Sequence, residues 1–229
     1  LWFNLRDRQA LRILMGVHEQ GTVEAVRRFL RPRMTCLDIG AHIGMYSILM
    51  ARSGASVYAF EPFPSTFELL SRNIRENRVD VRAFPLACSD STGESQIFVP
   101  VDEDLGPAFV PTQIGGRGSG IPVQMARVDD LVPESAMVGL VKMDIEGGEP
   151  RALRGMERIL RRDRPVIVTE FNPFCLRHND GSQPEAFLRQ LCAAGYRIYE
   201  DAALIAGGEA KEFSYSSETT VNLVCLPVE

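Results

Sequence analysis

The chain has 229 residues, 45% hydrophobic and 24% charged, enough for one domain with a full α/β core. A formal net charge of −5 gives no basic face for nucleic acid, and no apolar run approaches the ~20 residues of a membrane span. Five scattered cysteines, Cys36, Cys88, Cys175, Cys192 and Cys225, form no C-x-x-C pair and read as reduced thiols of a cytoplasmic protein. No signal peptide is visible, because Arg6, Asp7 and Arg8 interrupt the apolar start at once; the chain begins at Leu1 rather than Met, which leaves room for a preceding segment.

Residues 1–33 read as a helical prelude. Leu5–Val17 carries apolar residues near helical spacing, and Val23–Leu30 is a second helix with Thr22 as its expected N-cap and Pro32 at its end. Such a prelude either covers a cofactor or simply packs on the sheet. His18 and Glu19 lie between its two helices.

The core, residues 34–229, begins with T-C-L-D-I-G-A-H-I-G at Thr35–Gly44, a strand over Thr35–Ile39 with Asp38 near its end, then a glycine turn, then a helix from Met45 to Arg52. This is the first βα turn of a doubly wound sheet, where glycines let a ligand approach the backbone. The spacing is D-x-G-x-x-x-G, not the G-x-G-x-x-G that seats a dinucleotide pyrophosphate, and the acid suits a cationic or amine-bearing ligand. A valine at Gly40 should therefore abolish ligand binding while sparing most of the fold. Strand two, Ser56–Phe60, ends at Glu61-Pro62, about 20 residues after the loop, where a carboxylate can accept from both hydroxyls of a ribose. The alternative is a strand-end acid capping the amphipathic helix Pro64–Asn77. Strand three is expected at Val81–Cys88, with Cys88 or Ser89 flanking an adenine ring.

Between strands three and four, Gln96–Val101 and Val123–Val128 read as short strands, separated by the glycine-rich stretch Gly106–Gly120, either a mobile substrate lid or a plain surface loop. Strand four, Val138–Met143, ends in D-I-E-G-G-E at Asp144–Glu149, and Pro150 opens a helix to about Arg162. Three acids at the carboxyl end of a buried strand are costly unless used or paired. Glu149 has a plain alternative as a helix N-terminal acid, whereas Asp144 and Glu146 share strand phase and face the ligand crevice. Strand five, Pro165–Phe171, ends with Glu170; the helix Pro184–Ala194 and two last strands, Tyr196–Glu200 and Thr219–Leu226, complete a sheet of about seven strands. The expected class is α/β, a mostly parallel sheet with helices on both faces and an inserted hairpin or loop before strand four.

These residues carry a family likeness. L-D-I-G-A-H-I-G-M-Y-S, A-F-E-P and above all V-K-M-D-I-E-G-G-E resemble the FkbM family of S-adenosylmethionine-dependent methyltransferases, as do G-V-H-E before the sheet, R-V-D-D-L at 127–131 and P-V-I-V-T-E-F-N-P on strand five. The resemblance implies a Rossmann-like fold and methyl transfer, often to a hydroxyl of a natural product, sugar or lipid. His42 stands where the family usually carries Asn, and His18 where an aromatic is common.

The reading is an O-methyltransferase acting on a small-molecule hydroxyl, with S-adenosylhomocysteine as second product and a homo-oligomer left open. Asp38 and the Gly40, Ala41, His42 and Gly44 loop are expected to hold the methionine moiety, Glu61 and Pro62 the ribose side, Cys88 and Ser89 the adenine, and Asp144 the boundary with the acceptor. Glu146, Glu170 and His18, in that order, are the candidates for proton handling or acceptor binding. Asp144, Glu170 and Asn172 resemble the places where one class of O-methyltransferases binds a divalent ion, but Glu170 with Asn172 is not the adjacent pair of that class, and metal-independent turnover is expected. Two competing readings are a nicotinamide-dependent oxidoreductase and an inactive methyltransferase-like binding module.

Overall fold

A computed structural model describes residues 1–2, 19–98, 108–109, 120–201 and 212–228. The first expected helix, His18 and nearly all of the Gly106–Gly120 stretch lie outside them. In chain order the described elements are α1 (Gln20–Phe29), β1 (Thr35–Ile39), α2 (Met45–Arg52), β2 (Ser56–Phe60), α3 (Pro64–Asn77), β3 (Val81–Phe84), β4 (Leu86–Cys88), β5 (Gly93–Phe98), β6 (Ala108–Phe109) and β7 (Gly120–Ala126). There follow α4 (Val128–Leu131), β8 (Val138–Met143), α5 (Glu149–Arg154), α6 (Glu157–Asp163), β9 (Val166–Phe171), α7 (Pro173–Cys175) with a single π turn at Leu176–Asp180, α8 (Pro184–Ala193), β10 (Tyr196–Glu200) and β11 (Val221–Pro227).

Seven strands form the main sheet in the order β3-β2-β1-β8-β9-β11-β10. β1, β2, β3, β8 and β9 run parallel, and β11 lies antiparallel between β9 and β10. The order reverses between β1 and β8, the place where an open α/β sheet leaves a crevice beyond its strand ends. The central strands are buried on both faces, which is why they read as continuous apolar runs. On one face Cys36, Val57, Leu140, Val168 and Val224 pack under Ala25 and Val26 of α1 and Tyr46 and Met50 of α2. On the other, Leu37, Ile39, Phe60, Val141, Met143 and Ile167 pack under Leu153, Ile159, Phe187 and Leu191 of α5, α6 and α8.

Several boundaries differ from expectation. The single strand 81–88 is two: Pro85 has no N–H for a ladder, and the chain bends there so that β4 leaves the main sheet. β4 joins a second sheet of order β4-β7-β5-β6, whose antiparallel β5–β7 pair is the expected inserted hairpin. The expected helix from Pro150 to Arg162 is broken at Gly155-Met156. α1 starts two residues ahead of Thr22, with Glu19 at its N-cap. Thr22 is buried inside it and donates to Asp201 Oδ2 at 3.2 Å rather than capping.

Candidate functional site

The glycine turn after β1 is tied down by its own backbone. The N–H groups of Gly40 and Ala41 both donate to the Phe60 carbonyl (3.0 and 2.9 Å), that of His42 to Glu61 Oε2 (2.9 Å), and that of Gly44 to the Ala41 carbonyl (2.8 Å). Donors already engaged in this way do not form a phosphate nest. His42 holds φ 49, a left-handed conformation that Asn and His tolerate better than most residues. Gly40 holds φ 80, and a Cβ there would collide with the Asp144 backbone carbonyl at the end of β8. The glycine is therefore required by strand packing within the protein, and the expectation that a valine there would spare the fold is corrected.

Glu61 follows β2 and is 8% exposed. One carboxyl oxygen accepts from His42 N–H and the other from Phe63 N–H, each at 2.9 Å, so the side chain bridges the glycine turn to the start of α3. Burial raises its proton affinity, against the pull of these two donors and His42. The second lone pair on each oxygen remains for a ligand. Beside it, Ile39, Gly40, Phe60, Pro62, Leu86, Ala87, Cys88 and Ile145 line an apolar slot. Cys88 and Pro62, both expected beside the cofactor, line this slot. Ser89 does not: it is fully buried, hydrogen-bonded to Asp90 and with its carbonyl abutting Gly155.

Asp38 is fully buried beneath the loop, so its carboxylate has no surface for the methionine moiety expected on it. Its Oδ2 accepts from Ser47 Oγ at 2.5 Å and its Oδ1 has no hydrogen-bond partner among the described residues. Ala41 is also buried, packed with Ala59 and Leu70.

The D-I-E-G-G-E segment forms the other wall. Glu146 holds φ 53 and Gly147 φ 99, and a Cβ at Gly147 would strike the Cys175 carbonyl of α7. The turn is held against α7 and the π turn by Asn179 Nδ2 donating to the Glu146 carbonyl (2.7 Å) and by the Cys175 thiol donating to Glu146 Oε2 (3.2 Å). Single π turns of this kind recur at functional sites. Asp144, Glu146 and Glu170 come together here, with one carboxylate oxygen of each lying within 4.8 Å of the others. Glu170 Oε2 is buried with no hydrogen-bond partner among the described residues. Burial, then Asp144, Glu146 and Glu149, push Glu170 up to about 10, and burial followed by Asp144 raises Glu146. A divalent ion fits such a trio of oxygens by spacing, yet a cation already serves it: Lys142 Nζ lies 3.4 Å from Asp144 Oδ2. Asn172 is engaged elsewhere, accepting from Cys175 N–H at 3.1 Å as the cap of α7.

Glu149 is the helix-end acid that the alternative reading expects, the first residue of α5, but it is buried. It is 2% exposed, its Oε1 accepts from Ile145 N–H at 2.9 Å, and burial pushes it up to about 8. The R-V-D-D-L run is also structural: Asp129 accepts from Arg158 N–H (2.8 Å) and Ile159 N–H (3.2 Å), capping α6 from a distance no local pattern reveals.

Residues 38–198 match the family model described as the methyltransferase FkbM domain. The chain is 30% identical over 159 residues to 31-O-demethyl-FK506 methyltransferase FkbM of Streptomyces tacrolimicus, covering 56% of this chain and 61% of that one. Among solved structures, it resembles methyltransferase FkbM of Methylobacillus flagellatus KT with a TM-score of 0.53 and 16% identity, over 97% of this chain and 55% of that one. A methyltransferase of Streptococcus mutans, solved with S-adenosylhomocysteine, aligns with a TM-score of 0.55 and 8% identity over 90% of this chain and 96% of that one. The chain thus spans little more than half the length of its FkbM relatives. With the sheet order and the family match together, the chain belongs to the FkbM family of S-adenosylmethionine-dependent methyltransferases.

Proposed function

We propose that the crevice between the glycine turn and the D-I-E-G-G-E segment holds S-adenosylmethionine beside a small-molecule acceptor, and that the reaction is methylation of an acceptor hydroxyl. The observation that carries this reading is the Asp144–Glu146–Glu170 cluster, with a buried Glu170 oxygen that has no partner among the described residues, next to an apolar slot and a strand-end glutamate. The fit is chemical. The slot lined by Phe60, Leu86 and Cys88 suits an adenine ring, Glu61 suits a cis diol, and the acids suit a cationic sulfonium and its ammonium. When bound, the cofactor supplies an electrophilic methyl group on a good leaving group. The residues must then align the hydroxyl and take its proton.

Glu170, held protonated near neutral pH by burial and its acidic neighbours, donates a hydrogen bond to the acceptor. Glu146 takes the hydroxyl proton, its raised proton affinity making it a better base than an exposed carboxylate. Asp144, paired with Lys142, stays between the two ligands as a positioning charge. His18 lies outside the described residues and keeps only its place next to Glu19. The same reading takes the chain as one methyltransferase domain acting without nucleic acid or metal in a reducing, cytoplasmic setting. The net charge of −5 and five unpaired thiols support it, and among the described residues no helix is long and apolar enough to cross a membrane. The engaged loop donors speak against a nicotinamide dinucleotide. The test is a screen of hydroxylated metabolites with methyl-labelled cofactor. Transfer to oxygen, abolished by Glu146→Gln, supports the reading; transfer only to nitrogen or carbon, or calorimetric binding of a nicotinamide dinucleotide in place of S-adenosylhomocysteine, overturns it.

A further inference from the structure

Lys142 is a lysine in a central, buried strand, 4% exposed, the penultimate residue of β8 and two positions before Asp144. In the β1–β8 register it stands directly opposite Asp38. Its ammonium is 3.4 Å from Asp144 Oδ2 and 4.9 Å from the centroid of the Tyr46 ring of α2. Tyr46 in turn donates to Glu19 Oε2 at the start of α1, at 2.7 Å. Burying an ammonium is unfavourable unless it is paired. Burial alone would lower the proton affinity of Lys142; Asp144, Asp38 and Glu19 more than offset this and keep it charged. The groups facing it are therefore Asp38 from β1, Asp144 from the end of β8, Tyr46 from α2 and Glu19 from the start of α1. Glu146 and Glu170 stand just beyond Asp144.

This arrangement joins two halves of the site that the sequence separates by about 100 residues. Asp38 lies beneath the glycine turn and is linked to α2 through Ser47. Asp144 lies beside the acceptor-side acids. Without the ammonium, four carboxyls in a low-dielectric region would face one another, and each would hold its proton more tightly. We propose that Lys142 is a positioning residue for methyl transfer, fixing Asp38 under the cofactor turn and Asp144 beside the acceptor, and setting the proton affinity of the acids beyond Asp144. It touches neither ligand. The inference rests on the reading of the crevice given above, and its test separates the two.

The test uses Lys142→Met, which keeps the length and apolar stem of the side chain and removes the charge, with Lys142→Arg as the conservative partner. Glutamate carboxyl carbons labelled with 13C are titrated in the ligand-free protein, with Glu170 assigned by its loss in Glu170→Gln. The Glu170 midpoint should move to higher pH by at least about half a pH unit in Lys142→Met and stay near wild type in Lys142→Arg. Calorimetry with S-adenosylhomocysteine should show roughly 10-fold weaker binding to Lys142→Met, about 1.4 kcal/mol. Where Lys142→Met does not fold, Asp38→Asn combined with Lys142→Met removes the opposing charge and serves the same titration. An unmoved Glu170 midpoint in a folded variant overturns the proposal, as does unchanged cofactor-product affinity. Absence of S-adenosylhomocysteine binding by the wild type would instead refute the crevice reading, and the titration would still decide the role of Lys142.

Discussion

Replacing Glu61 with alanine removes the acceptor of two backbone hydrogen bonds, from His42 and Phe63, each 2.9 Å long. A bond of this kind contributes about 1–2 kcal/mol net, and both donors sit where water returns only in part, so the loss in folding stability should total about 2–4 kcal/mol. For a domain of this size each kcal/mol moves the melting temperature by about 2–4 °C, giving a fall of roughly 5–15 °C. The loss of order in the glycine turn adds to the lost ribose contacts. S-adenosylhomocysteine binding should weaken by ~1–3 kcal/mol, or roughly 5- to 150-fold. Glu61→Gln refines the test. Its amide oxygen can accept from one of the two N–H groups, while its NH2 meets the other donor to donor, so it should recover less than half of the lost stability. Differential scanning calorimetry and isothermal titration of the same samples provide both numbers. A folded Glu61→Ala protein with wild-type affinity would show that the ribose lies elsewhere. An unchanged melting temperature would show that the bridge between turn and α3 contributes nothing.

Gly40→Ala should destabilise the protein by several kcal/mol, because the φ of 80 is strained for alanine and the new Cβ meets the Asp144 carbonyl; a melting temperature within about 2 °C of wild type would refute the packing argument. Stability should fall as pH rises: the folded state keeps protons on Glu149 (ordinary value 4.5, raised to about 8) and Glu170 (4.5, raised to about 10) that the unfolded chain has released. The contribution is complete below about pH 4.5 and is lost toward pH 8 for Glu149 and pH 10 for Glu170, at up to about 1.4 kcal/mol per pH unit for each proton. Urea unfolding at pH 6 and 8.5 measures it, and Glu170→Gln should flatten the slope. Once an acceptor is known, exhaustive EDTA treatment should leave turnover unchanged; complete loss restored by Mg²⁺ would make the three acids metal ligands instead of proton handlers.

The apolar runs of β1, β2, β8 and β9 were legible because central strands of a parallel sheet are buried on both faces, and each run stops at an acid or glycine. The likeness in D-I-E-G-G-E located the acid cluster, since Asp144 and Glu146 sit two positions apart in one turn and Glu170 lies near the end of the neighbouring strand. What escaped the sequence depends on partners far along the chain. Thr22 looks like a cap, but Asp201 claims its hydroxyl across 179 residues. Glu149 stands in the first turn of α5 as its helix-end position suggests, but its burial and its bond from Ile145 N–H come from the preceding turn and are not visible in the spacing. Lys142 reads as one charge in an apolar run; only the β1–β8 register reveals that Asp38 stands opposite. Asp38 itself carries the most recognisable motif position, yet it is fully buried beneath the loop, a placement the motif does not reveal.

The central claim is that this crevice holds the cofactor, and a crystal structure of the complex with S-adenosylhomocysteine tests it most directly. The account predicts the adenine in the slot lined by Phe60, Leu86, Cys88 and Ile145, both ribose hydroxyls on Glu61, and the sulfur facing the Asp144–Glu146–Glu170 cluster. Density for the nucleoside outside that slot, or a ribose with no contact to Glu61, would contradict it.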